Sequence, residues 1–241
     1  LNVPKVLEVT LNNGINPVTG KMAGIQTGDP RNFKSFEELY EAFLKQLNFV
    51  VDQKVRVSNY IDRMFAKYAP APLLSVLTDD CIARGRDYYN AGPRYNTNYI
   101  QCTGLGTITD SLATLKKHVF ESKDFTMDSI LEAVGKNFEG EEIFRQTILN
   151  KTPFFGNDDE YADSIAVRVY NDLLEAIDGK PNTKGETYHL NMLSTTCHVY
   201  FGKVMGATPN GRLAGKSISD GTSPSHGSDI NGPSAVIRSL S

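Results

Sequence analysis

The sequence predicts an α/β fold in which helices dominate. Long stretches carry apolar residues at helical spacing, and two short runs, residues 95–102 and 188–195, have strand character. Strands set apart by long helical stretches belong to the α/β class. Apolar residues make up 40% of a 241-residue chain, enough for a sizeable core.

The elements follow in order. Asn2 can cap a first helix with Pro4 in its first turn, and Asn13-Gly14 stops it. Asn16-Pro17 and Gly20 mark a turn, and Thr27-Gly28-Asp29-Pro30 a loop. Ser35 and Glu38 form a capping box that opens a long helix. Phe36, Leu39, Phe43, Leu47, Val50, Ile61, Met64 and Tyr68 fall near helical spacing, and Pro70 and Pro72 end it. A short apolar run covers Leu73 to Leu77, and Thr78 can cap a brief helix ending at Gly85. Residues 95–102, rich in Tyr, Thr and Ile, make the first strand. Gly104-Leu105-Gly106 turns the chain into a helix carrying Leu112, Leu115 and Val119. Helices are expected over 127–137, 141–150 and 160–177, the last stopped by Asp178-Gly179. Residues 188–195 make the second strand, with Asn191, Leu193, Thr195 and Cys197 on one face and Met192, Ser194 and Thr196 on the other. From Ala207 the chain is mostly Gly, Ser, Pro, Asn and Asp, which is loop chemistry, until Pro233 starts a last helix. Both ends fall in or beside predicted helices, whereas complete domains usually end in polar linkers, so a piece of a larger domain is expected.

A net charge of −3 argues against a nucleic acid or anionic membrane as partner, since either needs a concentrated basic face. No apolar run approaches the roughly 20 residues of a membrane span. The three cysteines, Cys81, Cys102 and Cys197, are isolated, and no signal peptide opens the sequence. An odd, sparse set suits a reducing cytoplasm.

Candidate sites are few. Gly104-Leu105-Gly106 has Thr109 where a dinucleotide loop needs its third glycine, so it reads as a strand-to-helix turn. Asp158, Asp159, Glu160 and Asp163 open a helix, where carboxylates complement free N–H groups and the helix dipole, rather than alternating as calcium ligands do. His189 and His198 lack an acidic partner at useful sequence spacing for a metal. On an extended strand, Cys197 and His198 would face opposite ways and could not pair.

Specific information comes from a resemblance that runs the length of the chain. Residues 73–82 (Leu73-Leu74-Ser75 through Asp79-Asp80-Cys81-Ile82), Gly92-Pro93-Arg94-Tyr95-Asn96 and Asp110-Ser111-Leu112-Ala113 resemble, in order, blocks of the pyruvate formate-lyase-like glycyl radical enzymes. So do Phe155-Gly156-Asn157-Asp158-Asp159, Ala207-Thr208-Pro209-Asn210-Gly211-Arg212 and Asp220-Gly221-Thr222-Ser223-Pro224. Arg56-Val57-Ser58-Asn59-Tyr60 looks like the family's radical signature, but Asn59 stands where the glycine must be. That stretch also sits within a helical period, so the match reads as coincidence.

The resemblance implies that residues 1–241 are the C-terminal half of a ten-stranded α/β barrel domain, without the glycyl radical domain. No cysteine here is followed two residues later by Glu: Cys81 is followed by Ala83, Cys102 by Gly104 and Cys197 by Val199. The family's thiyl cysteine, partner glutamate and radical glycine therefore fall outside these residues, and no catalytic residue carries over. Within the family the wording is most like the subgroup that dehydrates trans-4-hydroxy-L-proline, seen at Leu1-Asn2-Val3-Pro4-Lys5-Val6-Leu7-Glu8 and over residues 188–199. In that subgroup a threonine matching Thr195 lies in the substrate pocket. The full-length protein is then expected to carry a glycyl radical, installed by a radical S-adenosylmethionine activating enzyme, with no metal bound. It would form a homodimer in the cytoplasm of an anaerobic bacterium and act on a small polar substrate. This segment alone would bind no cofactor, be inactive and, with open sheet edges, be marginally stable. Another reaction of the family (diol dehydration, choline cleavage, decarboxylation or pyruvate–formate cleavage) and a truncated binding module remain open.

Overall fold

The computed structural model describes residues 1–241. The elements are α1 (Val3–Leu11), β1 (Ile15–Asn16), β2 (Lys21–Met22), α2 (Phe36–Tyr68), α3 (Pro72–Val76), α4 (Cys81–Arg84), β3 (Asn98–Gln101) and α5 (Leu105–Leu115). Then come α6 (Met127–Gly135), α7 (Glu142–Lys151), α8 (Glu160–Ile177), β4 (Tyr188–Asn191), α9 (Cys197–Lys203) and α10 (Pro233–Ser239). The fold is α/β and rich in helix, as predicted, with two two-stranded sheets, β1–β2 and β3–β4. The chain forms two compact units, one of residues 1–49, 101–172 and 192–241, the other of residues 50–100 and 173–191.

In the first unit, the Asn2 side chain accepts the Lys5 N–H at 3.2 Å and Pro4 sits in the first turn of α1, as expected. Ser35 caps α2 by accepting the Glu38 N–H, but the Glu38 carboxylate reaches back to the Lys34 N–H at 2.7 Å, so the capping box closes one residue early. Leu39, Tyr40, Phe43 and Leu47 on α2 and Ile108, Leu112 and Leu115 on α5 are fully buried. Each such side chain contributes about 1.5–3 kcal/mol relative to exposure. Ala133, Phe138, Ile148, Phe154 and Ala207 form a further apolar cluster.

Helix α5 is buried along its whole length, polar residues included. Such burial favours paired polar groups, and on α5 all the polar side chains but Thr109, whose buried hydroxyl has no partner, find one. Ser111 and Thr114 donate to carbonyls one turn back, and Thr107 and Ser219 exchange two hydrogen bonds. The turn into α5 needs glycine: Gly104 has φ +99°, and a Cβ there would lie 2.5 Å from Pro4. Its role is steric, as the sequence suggests. The acidic run behaves likewise, with Asp159 accepting the Tyr161 N–H at the start of α8.

In the second unit, Asn59 lies inside α2, where its amide donates to the Pro181 carbonyl at 3.1 Å and accepts the Tyr188 hydroxyl at 2.9 Å. The radical-like stretch is therefore helix, with Asn59 engaged. Thr78 is not the cap of α4; its hydroxyl donates to the Leu74 carbonyl at 2.8 Å, back onto the last turn of α3. Asp80, in the left-handed region, precedes α4 instead and pairs with Arg94 at 2.8 Å. Strand β3 is shorter than the 95–102 expected, because the Asn96 side chain turns back onto the Pro93 carbonyl at 2.7 Å and that segment is spent on a turn. Strand β4 also ends early, at Asn191 rather than Thr195.

Candidate functional site

Thr195 is the residue singled out from sequence, and the structure moves it. It lies in the loop between β4 and α9, so the strand alternation assigned to residues 191–197 does not apply. Short apolar runs do not declare their period, and here the run gives way to the first turn of a helix.

The loop holds Thr195 by every polar group it has. Its N–H donates to Asp220 Oδ1 at 3.0 Å, and its carbonyl accepts from His198 Nδ1 at 2.7 Å. A carbonyl only accepts, so Nδ1 carries a proton. The Thr195 hydroxyl is 2.7 Å from Cys197 Sγ, which lies 3.3 Å from the hydroxyl of Thr103. Because Cys197 and His198 open a helix, both turn toward Thr195 rather than to opposite faces. His198 Nδ1 lies 3.8 Å from Asp220, and its ring meets His226 at 5.7 Å between centroids. The acidic partner absent from the sequence around His198 is therefore supplied from a distant loop. In the second unit His189 gains Asp178 at 3.0 Å in the same way.

The Asp220 loop is itself fixed. Gly221 has φ +38°, and a Cβ there would lie 2.5 Å from the Met192 carbonyl, so only glycine lets the two loops pass. The Leu105 N–H, at the start of α5, donates to the Gly221 carbonyl at 3.3 Å. One turn along α5, Asp110 is fully buried and accepts the Phe155 N–H at 2.9 Å and the Ser225 hydroxyl. Burial pushes its carboxyl up to about 7 despite those two bonds. Arg212 stitches the neighbouring turn, donating to the Leu213 and Gly206 carbonyls; burial pushes it down to about 10, so it stays charged at neutral pH.

The remaining thiols offer no nucleophile, since Cys81 is buried and burial pushes Cys102 up to about 11. No group of three His, Cys, Asp or Glu side chains is placed to hold a metal ion, and no helix is long and apolar enough to cross a membrane. A cleft of about 900 Å³ in the first unit has Arg145, Arg212, Lys216, Ser225 and His226 on its walls. Thr195 does not line it, although His226 links the two places. Sequence reasoning missed Asp220, His198 and Asp110 as parts of one assembly. The signal available was the Asp-Gly pair at 220–221, which marks a turn in which a carboxylate is presented beside a left-handed glycine.

Comparison with known proteins identifies the family and the fold. The profile of the pyruvate formate lyase-like family matches residues 1–202. A trans-4-hydroxy-L-proline dehydratase of Clostridioides difficile is 52% identical over 239 residues, covering 99% of this chain and 30% of that protein. An isethionate sulfite-lyase of Oleidesulfovibrio alaskensis is 38% identical over 244 residues, 99% of this chain and 29% of that one. The crystal structure of hydroxyproline dehydratase from Clostridioides difficile with trans-4-hydroxy-L-proline bound superposes with a TM-score of 0.95 at 52% identity, over 98% of this chain and 30% of that one. The glycerol-bound B12-independent glycerol dehydratase of Clostridium butyricum gives a TM-score of 0.94 at 32% identity, over 100% of this chain and 30% of that one. The fold is thus that of part of an α/β barrel. The chain spans about 30% of the length of the relatives it matches.

Proposed function

We propose, because the chain belongs to the pyruvate formate lyase-like family, that it is a segment of a glycyl radical lyase that dehydrates trans-4-hydroxy-L-proline. The observation that carries this reading is 52% identity across 99% of the chain to a dehydratase of that substrate. The matching structure was solved with trans-4-hydroxy-L-proline bound.

The residues present do not fit storage of the radical. In the stretch that looks like the radical signature, Asn59 replaces the glycine and is bonded on both sides of its amide within a helix. The radical glycine, the thiyl cysteine and its partner glutamate belong to the remainder of the full-length protein, and no step of the radical chemistry is assigned to these residues. Residues 1–241 form part of a single barrel domain. The full-length protein is a cytoplasmic homodimer of an anaerobic bacterium, activated by a radical S-adenosylmethionine enzyme.

The task of this segment is to hold the substrate. Thr195 carries a hydroxyl that can give or take one further hydrogen bond, which suits a substrate carrying a carboxylate, a ring nitrogen and a hydroxyl. Its backbone is pinned at both ends, so the hydroxyl is presented from a fixed position.

The test is turnover by the full-length protein after anaerobic activation. Trans-4-hydroxy-L-proline, glycerol, 1,2-propanediol and isethionate are offered in parallel, and products are followed by mass spectrometry. The expected result is loss of one water from hydroxyproline at far higher kcat/KM than reaction of the others. Efficient turnover of another member of the panel, with hydroxyproline inert, refutes the assignment.

A further inference from the structure

We infer that Asp220 is a positioning residue for substrate binding, acting through Thr195 and not on substrate itself; this rests on the reading of Thr195 as a substrate contact. Thr195 sits in a loop, outside any strand ladder, so nothing regular fixes its backbone. Asp220 supplies that constraint twice. Its carboxylate accepts the Thr195 N–H at 3.0 Å, a charge-assisted bond of the stronger kind. It also stands 3.8 Å from His198 Nδ1, the atom that donates to the Thr195 carbonyl at 2.7 Å. A carboxylate beside that nitrogen favours the tautomer with its proton there, which is the form this bond needs. One side chain thereby sets both ends of the Thr195 residue, directly at the N–H and through His198 at the carbonyl.

The clamp is worth having only if Asp220 is itself immobile. The Asp220 carbonyl accepts the Ser223 N–H at 2.6 Å, and the Gly221 carbonyl accepts the Leu105 N–H at 3.3 Å from buried helix α5. Ser219, just before it, exchanges two bonds with Thr107 on the same helix at 2.8 and 2.9 Å. Asp110, on α5 again, holds Ser225 just beyond. The line of constraint runs from a rigid helix through Asp220 to a loop hydroxyl. Precise function on a loop demands such support from residues that touch nothing of the ligand.

A carboxylate that merely stabilises the loop would damage the protein whether or not Thr195 has a hydroxyl. A positioning residue loses its effect once that hydroxyl is gone. The test is therefore a double-mutant cycle in the activated full-length protein, with trans-4-hydroxy-L-proline as substrate and the glycyl radical yield read by electron paramagnetic resonance. Asp220→Ala should lower kcat/KM by up to the roughly three- to tenfold lost with the Thr195 hydroxyl itself, mostly through KM, with the radical yield unchanged. In the Thr195→Val background it should cost less than about twofold. Asp220→Asn keeps an oxygen for the Thr195 N–H but not the charge that favours the His198 tautomer, so it should fall between wild type and Asp220→Ala and, with that measurable loss, completes the cycle if the alanine variant does not fold. Asp220 variants that are harmless while Thr195→Val is harmful refute the clamp alone, as do effects that simply multiply. A harmless Thr195→Val refutes the substrate contact and the clamp with it.

Discussion

Replacing Asp110 by asparagine should abolish a pH dependence of stability. Asp110 is fully buried on α5, and its carboxyl is raised from 3.8 to about 7. Desolvation is the largest cause, and the bonds from Ser225 and Phe155 offset only part of it. The folded pKa lies above the unfolded one, so the folded state binds the extra proton. Stability from this group is fully present below about pH 4 and is lost as pH rises toward about 7. Within that window the slope is about 1.4 kcal/mol per pH unit, and between pH 5 and pH 8 the summed loss is on the order of 2–3 kcal/mol. Asparagine keeps an oxygen for the Phe155 N–H and offers an amide to the Ser225 hydroxyl, without a charge to desolvate. Urea denaturation of the full-length protein at pH 5, 6, 7 and 8, beside Asp110→Asn, isolates the term, because all other titrating groups are common to both. The wild type should lose stability relative to the variant as pH rises. Parallel curves, or a wild type that gains on the variant with rising pH, would show that Asp110 is not held protonated.

Three further outcomes are expected. Thr195→Val should lower kcat/KM roughly three- to tenfold with the radical yield unchanged, as one hydrogen bond of about 0.5–1.5 kcal/mol is lost, while Ser194→Ala does far less; equal small effects would return Thr195 to an ordinary loop residue. Asn59→Ala should destabilise the full-length protein by about 0.5–1.5 kcal/mol in urea titration, since it removes the partner of the part-buried Tyr188 hydroxyl as well as an exposed bond to the Pro181 carbonyl; a neutral result would mean that water replaces the amide freely. The 241-residue chain alone, incubated anaerobically with the activating enzyme and S-adenosylmethionine, should give no glycyl doublet by electron paramagnetic resonance; a doublet would overturn the placement of the radical elsewhere.

Legibility from sequence followed how local the determining forces are. Helix α8 was read at both ends because its signals are its own: the acidic residues at its start and Asp178-Gly179 at its stop lie within a turn of it. Gly104 was read as a steric turn because the missing third glycine is also a local fact. The Thr78 cap failed because the hydroxyl had a competing partner one helical turn back, at Leu74. The extent of β4 failed for a less local reason, since the residues that draw the chain away at Thr195 lie 25 positions on, at Asp220. The family resemblance supplied Thr195 as a candidate. It gave no hint that a buried carboxyl on α5 and a charged loop residue stand behind it, because neither relation is expressed as spacing.

The approach of Gly221 to the Met192 carbonyl has a consequence for anyone who would redesign substrate choice in this scaffold. Residues 192–198 and 218–226 cannot be exchanged separately. A first loop transplanted alone would lose the carboxylate that accepts the N–H of residue 195, and a bulkier residue at 221 would push that loop outward. The two loops, separated only by α9 and the turn after it, form one cassette, the second loop being tied to α5. Chimeras cut on either side of both loops should retain function, and those that split the pair should fold but bind substrate loosely.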